Sequence, residues 1–174
     1  MYILMNAIGF QMAWWACISS VSRDLEREAI VFCFILASLH VYASKTPMQE
    51  IKVGVFAVLT GIWVDSWLQH FSVINFYGWA LGALSPFWLW TLWAMLGLTL
   101  NASLAFLKEQ SPITTAFIGL VFGPLTYYAG AKLGAAEFDA SITHMASLAI
   151  VWALVMPLLV FTARQKILTS KDYT

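Results

Sequence analysis

The strongest constraint in this chain is a series of apolar segments, each close to the length of a helix that crosses a bilayer. A hydrocarbon core about 30 Å thick needs roughly 20 mostly apolar residues for each helical crossing. The segments that have or approach this length are 2–20, 29–44, 51–71, 87–107, 113–131 and 142–163. The sequence therefore predicts an all-α integral membrane bundle of six transmembrane helices.

Composition agrees with one membrane domain. Hydrophobic residues make up 61% of the chain and charged residues 10%, against roughly 25% charged residues in a soluble domain. We assign residues 1–163 to a single transmembrane domain and residues 164–174 to a short cytoplasmic tail. Segment 29–44 is the shortest, so a bundle of five crossings is the alternative. Acidic and basic residues balance, and we expect no nucleic-acid partner.

The basic residues predict how the bundle is oriented. With six crossings, both termini lie on the same side of the membrane. That side carries Lys45, Lys52, Lys108, Arg164, Lys166 and Lys171, whereas the opposite side carries Arg23, Arg27 and Lys132. Cytoplasmic loops are enriched in Lys and Arg, so we expect both termini in the cytoplasm.

Residues 72–86 differ from the other connections, which are short and polar. This stretch has no charge, is rich in glycine and includes Phe76, Tyr77 and Trp79. It is too short to span a bilayer, and aromatic side chains are enriched at membrane interfaces. We expect an apolar segment that lies in the outer interface or re-enters the protein, and the sequence leaves both open.

Asp65 is the most informative single residue, because it falls within the third apolar segment. An ionisable side chain at membrane depth is costly unless it is paired or hydrated, and it marks a functional site by default. The alternative is a carboxyl group that only ties helices together. Gln69 and His70 continue a polar strip from Asp65 toward the outer surface, which makes them further candidates for a ligand or ion site.

A partner for Asp65 is expected at a similar depth on the fifth segment. Lys132 follows Tyr128 at a four-residue step on one helix face. We hypothesise an Asp65–Lys132 pair, either direct or bridged by Tyr127 or Tyr128. The competing interpretation is that Lys132 extends to the lipid headgroups.

Amides and prolines indicate the interior of the predicted bundle. Asn6, Gln11 and Asn101 are expected to face other helices, since amides in membrane helices often bridge neighbours. Pro124 and Pro157 are predicted to kink the fifth and sixth helices and free carbonyl groups. No histidines have metal-ligand spacing, and we expect neither a metal nor a cofactor.

Several motifs resemble one known family. They are N-x-x-x-F-Q-x-x-W from Asn6 to Trp14 and G-P-L-T-Y-Y-A-G-A-K-L-G-A from Gly123 to Ala135. Together with Asp65 they resemble a bacterial domain-of-unknown-function family of small polytopic inner-membrane proteins. The resemblance implies a multi-pass protein of the bacterial inner membrane and no particular activity.

Three functional classes fit these features. The first is a protein that binds or handles a lipid or another amphipathic ligand from the outer leaflet. The second is a small proton- or cation-coupled transporter or channel, for which a buried acid is a natural site. The third is a membrane enzyme, or a subunit of one, that uses Asp65, His70, Tyr127 or Tyr128 in acid–base chemistry. The expected partners are membrane lipids and either a second copy of the chain or another membrane protein.

Overall fold

The computed structural model describes residues 2–165, and these form a bundle of six α-helices. The helices are α1 (Tyr2–Val21), α2 (Glu26–Ala43), α3 (Pro47–His70), α4 (Phe87–Thr99), α5 (Pro112–Lys132) and α6 (Ile142–Arg164). Two short strands, β1 (Asn75–Phe76) and β2 (Ala136–Glu137), and a 3₁₀ helix (Ala105–Glu109) complete the elements. The predicted all-α class with six helices is confirmed. Of the predicted tail, residues 166–174 lie outside the described part of the chain.

The helices have the surface of a membrane protein. By length and composition α3, α5 and α6 can each cross a membrane, and α4 is a shorter apolar helix. Large apolar side chains stay exposed on the outside of the bundle, with Trp63 and Leu154 each 70% exposed and Phe117 65% exposed. Such a surface suits hydrocarbon and is rare on soluble monomers.

Glycines determine how closely the helices approach. α3 packs mainly on α4, and α5 packs mainly on α6. A Cβ atom added at Gly97 of α4 would lie 2.9 Å from the Cα atom of Gly54, so the two backbones nearly touch. A Cβ atom at Gly119 of α5 would overlap the backbone of Trp152. Small residues allow this close packing, which drives helix association in lipid.

The fourth predicted crossing, 87–107, is not a single helix. α4 has 13 residues, and at 1.5 Å per residue it is about 20 Å long, shorter than a hydrocarbon core. Turns follow it before the 3₁₀ helix begins at Ala105. The Ser103 backbone N–H in this break donates to Asn6 Oδ1 at 3.2 Å. A side chain of α1 thus replaces a hydrogen bond that a continuous helix would have made.

The helices alternate in direction, which gives the bundle two distinct ends. The terminal end contains the start of α1 and the end of α6. The hairpin end contains β1 and β2, which pair antiparallel with Asn75 opposite Glu137. All described Lys and Arg residues lie near these ends, with Lys45, Lys52, Lys108 and Arg164 at the terminal end and Arg23, Arg27 and Lys132 at the hairpin end.

Residues 72–86 cover the hairpin end. Val73 and Ile74 are buried, whereas Tyr77 and Trp79 are exposed. The Trp79 backbone N–H donates to Glu26 Oε2 at 2.8 Å, which ties the segment to the start of α2. The segment therefore combines an inserted part with a surface part, and the pairing of β1 with β2 was not predicted.

Candidate functional site

The Asp65 carboxyl group joins three helices in the interior of the bundle. Asp65 of α3 is 0% exposed. The Tyr127 hydroxyl of α5 donates to Oδ1 at 2.5 Å, and the Trp93 indole N–H of α4 donates to Oδ2 at 2.7 Å. Both donors are uncharged, so hydrogen bonds alone satisfy the carboxyl oxygens.

Glycines make room for the aromatic side chains around Asp65. The Trp93 ring stacks on Trp152 of α6, with 5.1 Å between ring centroids and 10° between ring planes. Tyr127 meets Trp152 edge-on at 6.0 Å. A Cβ atom at Gly61 would overlap the Trp93 ring, and one at Gly123 would overlap the Trp152 ring. The glycines of α3 and α5 therefore set where both indoles lie.

Trp152 contributes a buried donor without an acceptor. The residue is 9% exposed, and its N–H has no hydrogen-bond partner within the described residues. The indole nitrogen is itself buried, so it faces neither solvent nor the open space of a cavity. A buried polar group left unsatisfied costs about 1–3 kcal/mol. We define Asp65, Trp93, Tyr127 and Trp152 as the Asp65 cluster.

A cavity of about 640 Å³ lies against this cluster, bounded by α1, α4, α5 and α6. The described residues that line it are all uncharged, and most are apolar or aromatic. Trp93, Tyr127 and Trp152 form part of the wall, and Asp65 lies behind them.

The cavity opens sideways between α1 and α5. Lining residues that are also exposed mark the mouth: Gln11, Phe106, Phe122, Leu125 and Thr126. Toward the hairpin end the gap narrows, because Ile18 of α1 lies against Gly130 of α5. The mouth therefore faces the surface that lipid would cover.

The structure brings together only some of the predicted site residues. Of the six candidates, Asp65 and Tyr127 are in contact. His70 is exposed and packs edge-on against Phe71, with 5.1 Å between ring centroids. The Gln69 side chain is partly buried, and its Oε1 atom has no hydrogen-bond partner within the described residues. His70 and Gln69 are not part of the described cavity wall.

The hypothesised Asp65–Lys132 pair is not formed. Lys132 Nζ instead lies over the Tyr128 ring, 5.3 Å from its centroid, and both residues are exposed. Asp65 is hydrogen-bonded by Tyr127, the neighbour of Tyr128 in sequence. Adjacent helical residues point in different directions, so Tyr127 faces the interior while Tyr128 faces outward.

The predicted interior amides have different outcomes, and the predicted helix kinks stay predictions. Asn6 is buried and Asn101 is partly buried, but Gln11 is exposed at the cavity mouth, which corrects its predicted interior position. Pro124 and Pro157 both lie inside helices that continue on either side of them.

Sequence reasoning missed a second buried acid, Glu50, which is 2% exposed near the start of α3. Its Oε1 atom accepts from the Ser44 hydroxyl at 3.1 Å, and Oε2 accepts from the Asn101 amide at 3.2 Å. His40 Nε2 lies 3.5 Å from Oε2. We define the Glu50 cluster as Asn6, His40, Ser44, Glu50, Asn101, Ser103 and Lys108.

Hydrogen bonds connect the rest of the Glu50 cluster. Lys108 Nζ donates to Asn101 Oδ1 at 3.1 Å, and the Ser103 hydroxyl donates to Asn6 Oδ1 at 2.6 Å. Asn6 Nδ2 lies 3.2 Å from His40 Nδ1. No group of three or more His, Cys, Asp or Glu residues suited to a metal ion occurs among residues 2–165.

One signal in the sequence could have revealed Glu50. The buried stripe of α3 recurs every three or four residues as Glu50, Gly54, Ala57, Gly61, Asp65 and Leu68. This spacing keeps side chains on one helix face. The predicted segment began at residue 51 and so excluded the first member of the stripe.

Comparison with known proteins places the chain in a family without assigning an activity. Neither the curated proteins nor the solved structures gave a match. The model of a family described as "Protein of unknown function (DUF2878)" matches residues 3–158, which is most of the chain. The chain therefore belongs to this DUF2878 family.

Proposed function

We propose that this membrane protein binds an apolar or amphipathic molecule, taken from the surrounding bilayer, in the cavity beside the Asp65 cluster. The cavity itself is the observation that carries the proposal. Its volume of about 640 Å³ falls within the roughly 300–1,000 Å³ of ligand sites. Such sites are mostly apolar with a few placed polar groups, and Gln11 and Thr126 at the mouth are polar lining residues here.

The position of the mouth supports access from lipid. Gln11 and Phe122 lie near the middle of α1 and α5, and Phe106 lies toward the terminal end. A membrane lipid or a molecule dissolved in the bilayer reaches such an opening without crossing water. The sequence predicted access from the outer leaflet. The mouth lies near the middle of the helices, so its position does not favour that leaflet.

We place the protein in a bacterial inner membrane with both termini in the cytoplasm. The described Lys and Arg residues support this orientation, with four at the terminal end and three at the hairpin end. Lys166 and Lys171, outside the described residues, add to the terminal side in sequence. Membrane lipids are the proposed partners, and the exposed helix faces leave room for a second copy or another membrane protein.

The two alternative functions have less support. Transport that uses a buried acid needs a path between the two faces of the membrane. Between Glu50 and Asp65, α3 instead packs closely against α4 at Gly54 and Gly97, which leaves no open space between the helices at that point. Acid–base chemistry on a ligand would depend on Tyr127 alone, since His70 and Tyr128 lie outside the described cavity wall.

Blocking the cavity tests the proposal. Thr126→Trp places a large ring in the mouth, and Ala129→Trp narrows the cavity from its wall. The control is Leu120→Trp, which adds the same ring to α5 outside the described cavity wall. Each protein is purified in mild detergent, and its bound lipids are measured by native mass spectrometry.

We expect each blocking variant to carry about tenfold less bound ligand than the wild type, or less still. Leu120→Trp should carry as much bound ligand as the wild type. A tenfold loss corresponds to about 1.4 kcal/mol of binding free energy. Equal ligand content in all four proteins would contradict a binding site in this cavity.

A further inference from the structure

We infer that the ligand is an amphiphile whose hydrocarbon chain enters the cavity tip first, with its methyl end beneath β1 and β2 and its polar end at the mouth. This inference rests on the proposed function, because it names the class of molecule that the cavity would hold and the direction in which that molecule lies. It follows from the length of the cavity, from which of its ends is closed, and from where charged residues lie around it.

The cavity is long and runs parallel to the helices. Its lining on α5 extends from Ile118 to Ala131, which is about 20 Å at 1.5 Å per residue. Leu107 of the 3₁₀ helix lines it toward the terminal end, and Ala136 of β2 lines it at the hairpin end. Each leaflet contributes half of a hydrocarbon core about 30 Å thick, so the cavity is long enough for one lipid chain. An extended hydrocarbon chain therefore matches its shape.

The cavity is closed at the hairpin end. The lining residues Ile74, Ala135 and Ala136 are all buried there, and we call this part of the cavity the blind end. The Tyr77 backbone N–H donates to the Ala135 carbonyl at 3.0 Å, beside the pairing of β1 with β2. The Trp88 indole N–H donates to the Tyr77 carbonyl at 2.9 Å. These bonds hold residues 72–86 over the blind end, so a molecule reaches it only through the cavity.

The open part of the cavity lies between the terminal end and the middle of the bundle, where Phe106 and Phe122 are exposed. The described lining residues are uncharged, but Lys108 follows Phe106 in the same 3₁₀ helix. Arg164 Nε donates to the Lys108 carbonyl at 2.8 Å, which places a second cation beside this helix. A charged group would lose its hydration in the blind end, whereas a methyl group would not. The polar end of the ligand therefore stays at the mouth.

This direction matches lipids of one leaflet. A lipid whose headgroup lies at the terminal end of the bundle points its chain toward the middle of the bilayer, and so toward the blind end. A lipid of the opposite leaflet points its chain the other way and would have to invert. With both termini in the cytoplasm, as we propose above, the chain comes from the cytoplasmic leaflet.

Photoreactive chains test the direction. The full-length protein in mild detergent is mixed with palmitate that carries a diazirine either at its methyl end or beside its carbonyl carbon. A parallel experiment uses phosphatidylglycerol that carries the same two chains. After irradiation, tandem mass spectrometry locates the labelled residues. Because Ile74 and Ala136 are buried, a label on them reports a chain inside the cavity.

We expect the methyl-end probes to label Ile74 and Ala136 several-fold more than the carbonyl-end probes do. The carbonyl-end probes should instead label Gln11 and Phe106 at the mouth. Labelling by palmitate, by phosphatidylglycerol or by both supports the inference, and the comparison identifies whether the chain belongs to a free acid or to a membrane lipid.

A pair of variants on α5 sharpens the test. Ala131→Phe places a ring in the wall next to the blind end, and it should lower the label on Ile74 and Ala136 several-fold. Ala116→Phe adds the same ring to α5 outside the described cavity wall and should keep the wild-type label. If Ala131→Phe fails to fold, the two probe positions in the wild type decide the question by themselves.

The outcomes separate the two proposals. If the carbonyl-end probes label the blind end as strongly as the methyl-end probes, or more strongly, the inference is overturned and the cavity remains a ligand site. An unchanged label in folded Ala131→Phe also overturns the inference. If none of the probes labels any residue of the cavity wall in the wild type, the proposed function itself fails.

Discussion

The Asp65 cluster and the Glu50 cluster both contain a buried acid of α3, but their surroundings differ. The two acids are fifteen positions apart in the sequence, which is about 22 Å along a helix. Glu50 lies at the terminal end among amide, hydroxyl, imidazole and ammonium groups. Asp65 lies deeper, and its hydrogen bonds come from a phenol and an indole.

This difference indicates different roles. The Glu50 cluster connects α1, α2 and α3 to the break after α4, and its polar groups satisfy one another. The Asp65 cluster forms a cavity wall and keeps one donor, the Trp152 N–H, without a partner in the described residues. A closed polar network stabilises a fold, whereas a mostly apolar cavity with exposed polar groups at its mouth is suited to a ligand.

The largest effect should come from Asp65→Ala. The substitution leaves the Tyr127 hydroxyl and the Trp93 N–H buried without an acceptor, at about 1–3 kcal/mol each. We expect the unfolding temperature in detergent, measured by differential scanning fluorimetry, to fall by about 5–10 °C. The control is Val64→Ala, which shortens a neighbouring buried side chain of α3 and leaves no donor without a partner. Equal losses for the two variants would show that the hydrogen bonds of Asp65 contribute little.

Glu50→Ala should have a smaller effect although Glu50 has more partners. Ser44 and Asn101 are only partly buried, so water can replace the lost carboxylate. We expect a loss of about 1–2 kcal/mol in unfolding free energy, measured by denaturant titration in detergent. Glu109→Ala, which removes an exposed carboxylate from the same end, is the control. If Glu50→Ala destabilises more than Asp65→Ala, the contrast between the clusters is wrong.

The smallest effect is expected for Ser103→Ala. It removes the hydroxyl that donates to Asn6 Oδ1, but the Ser103 backbone N–H still donates to the same oxygen. Side-chain hydrogen bonds in membrane proteins average about 0.6 kcal/mol, and we expect a loss of that order in the same titration. Ser147→Ala on α6, whose hydroxyl donates to a carbonyl of its own helix, is the comparison. If Ser103→Ala lowers the unfolding free energy more than Glu50→Ala does, then the break after α4, and not Glu50, is the centre of the Glu50 cluster.

The sequence predicted the helices better than it predicted the partners of the acids. The apolar segments predicted six helices in the right order, and the six α-helices confirm this. The end of α4 at Thr99 was not predictable in the same way, because Leu100, Ala102 and Leu104 continue an apolar pattern. The break depends on Asn6, a residue on another helix that supplies a hydrogen-bond acceptor.

The partner of Asp65 illustrates the same limit. The sequence suggested Lys132, Tyr127 or Tyr128, and charge alone favoured the lysine. In the structure, Gly123 admits the Trp152 ring and α5 turns Tyr127 toward Asp65, which leaves Lys132 on the outer surface. The rotation of a helix about its axis is set by such contacts and is not visible in the sequence of that helix alone.

The amino-acid sequence by itself determined that this protein is a helical membrane bundle. Segment length and hydropathy are properties of each stretch of chain. An apolar stretch as long as a bilayer is thick forms a helix that crosses it, because its backbone groups must be hydrogen-bonded within the segment. Only the tertiary structure decided that Asp65 lies behind an apolar cavity and that Trp152 stacks on Trp93 beside it. Those features arise where four helices meet, so they depend on distances between residues that are far apart in the chain.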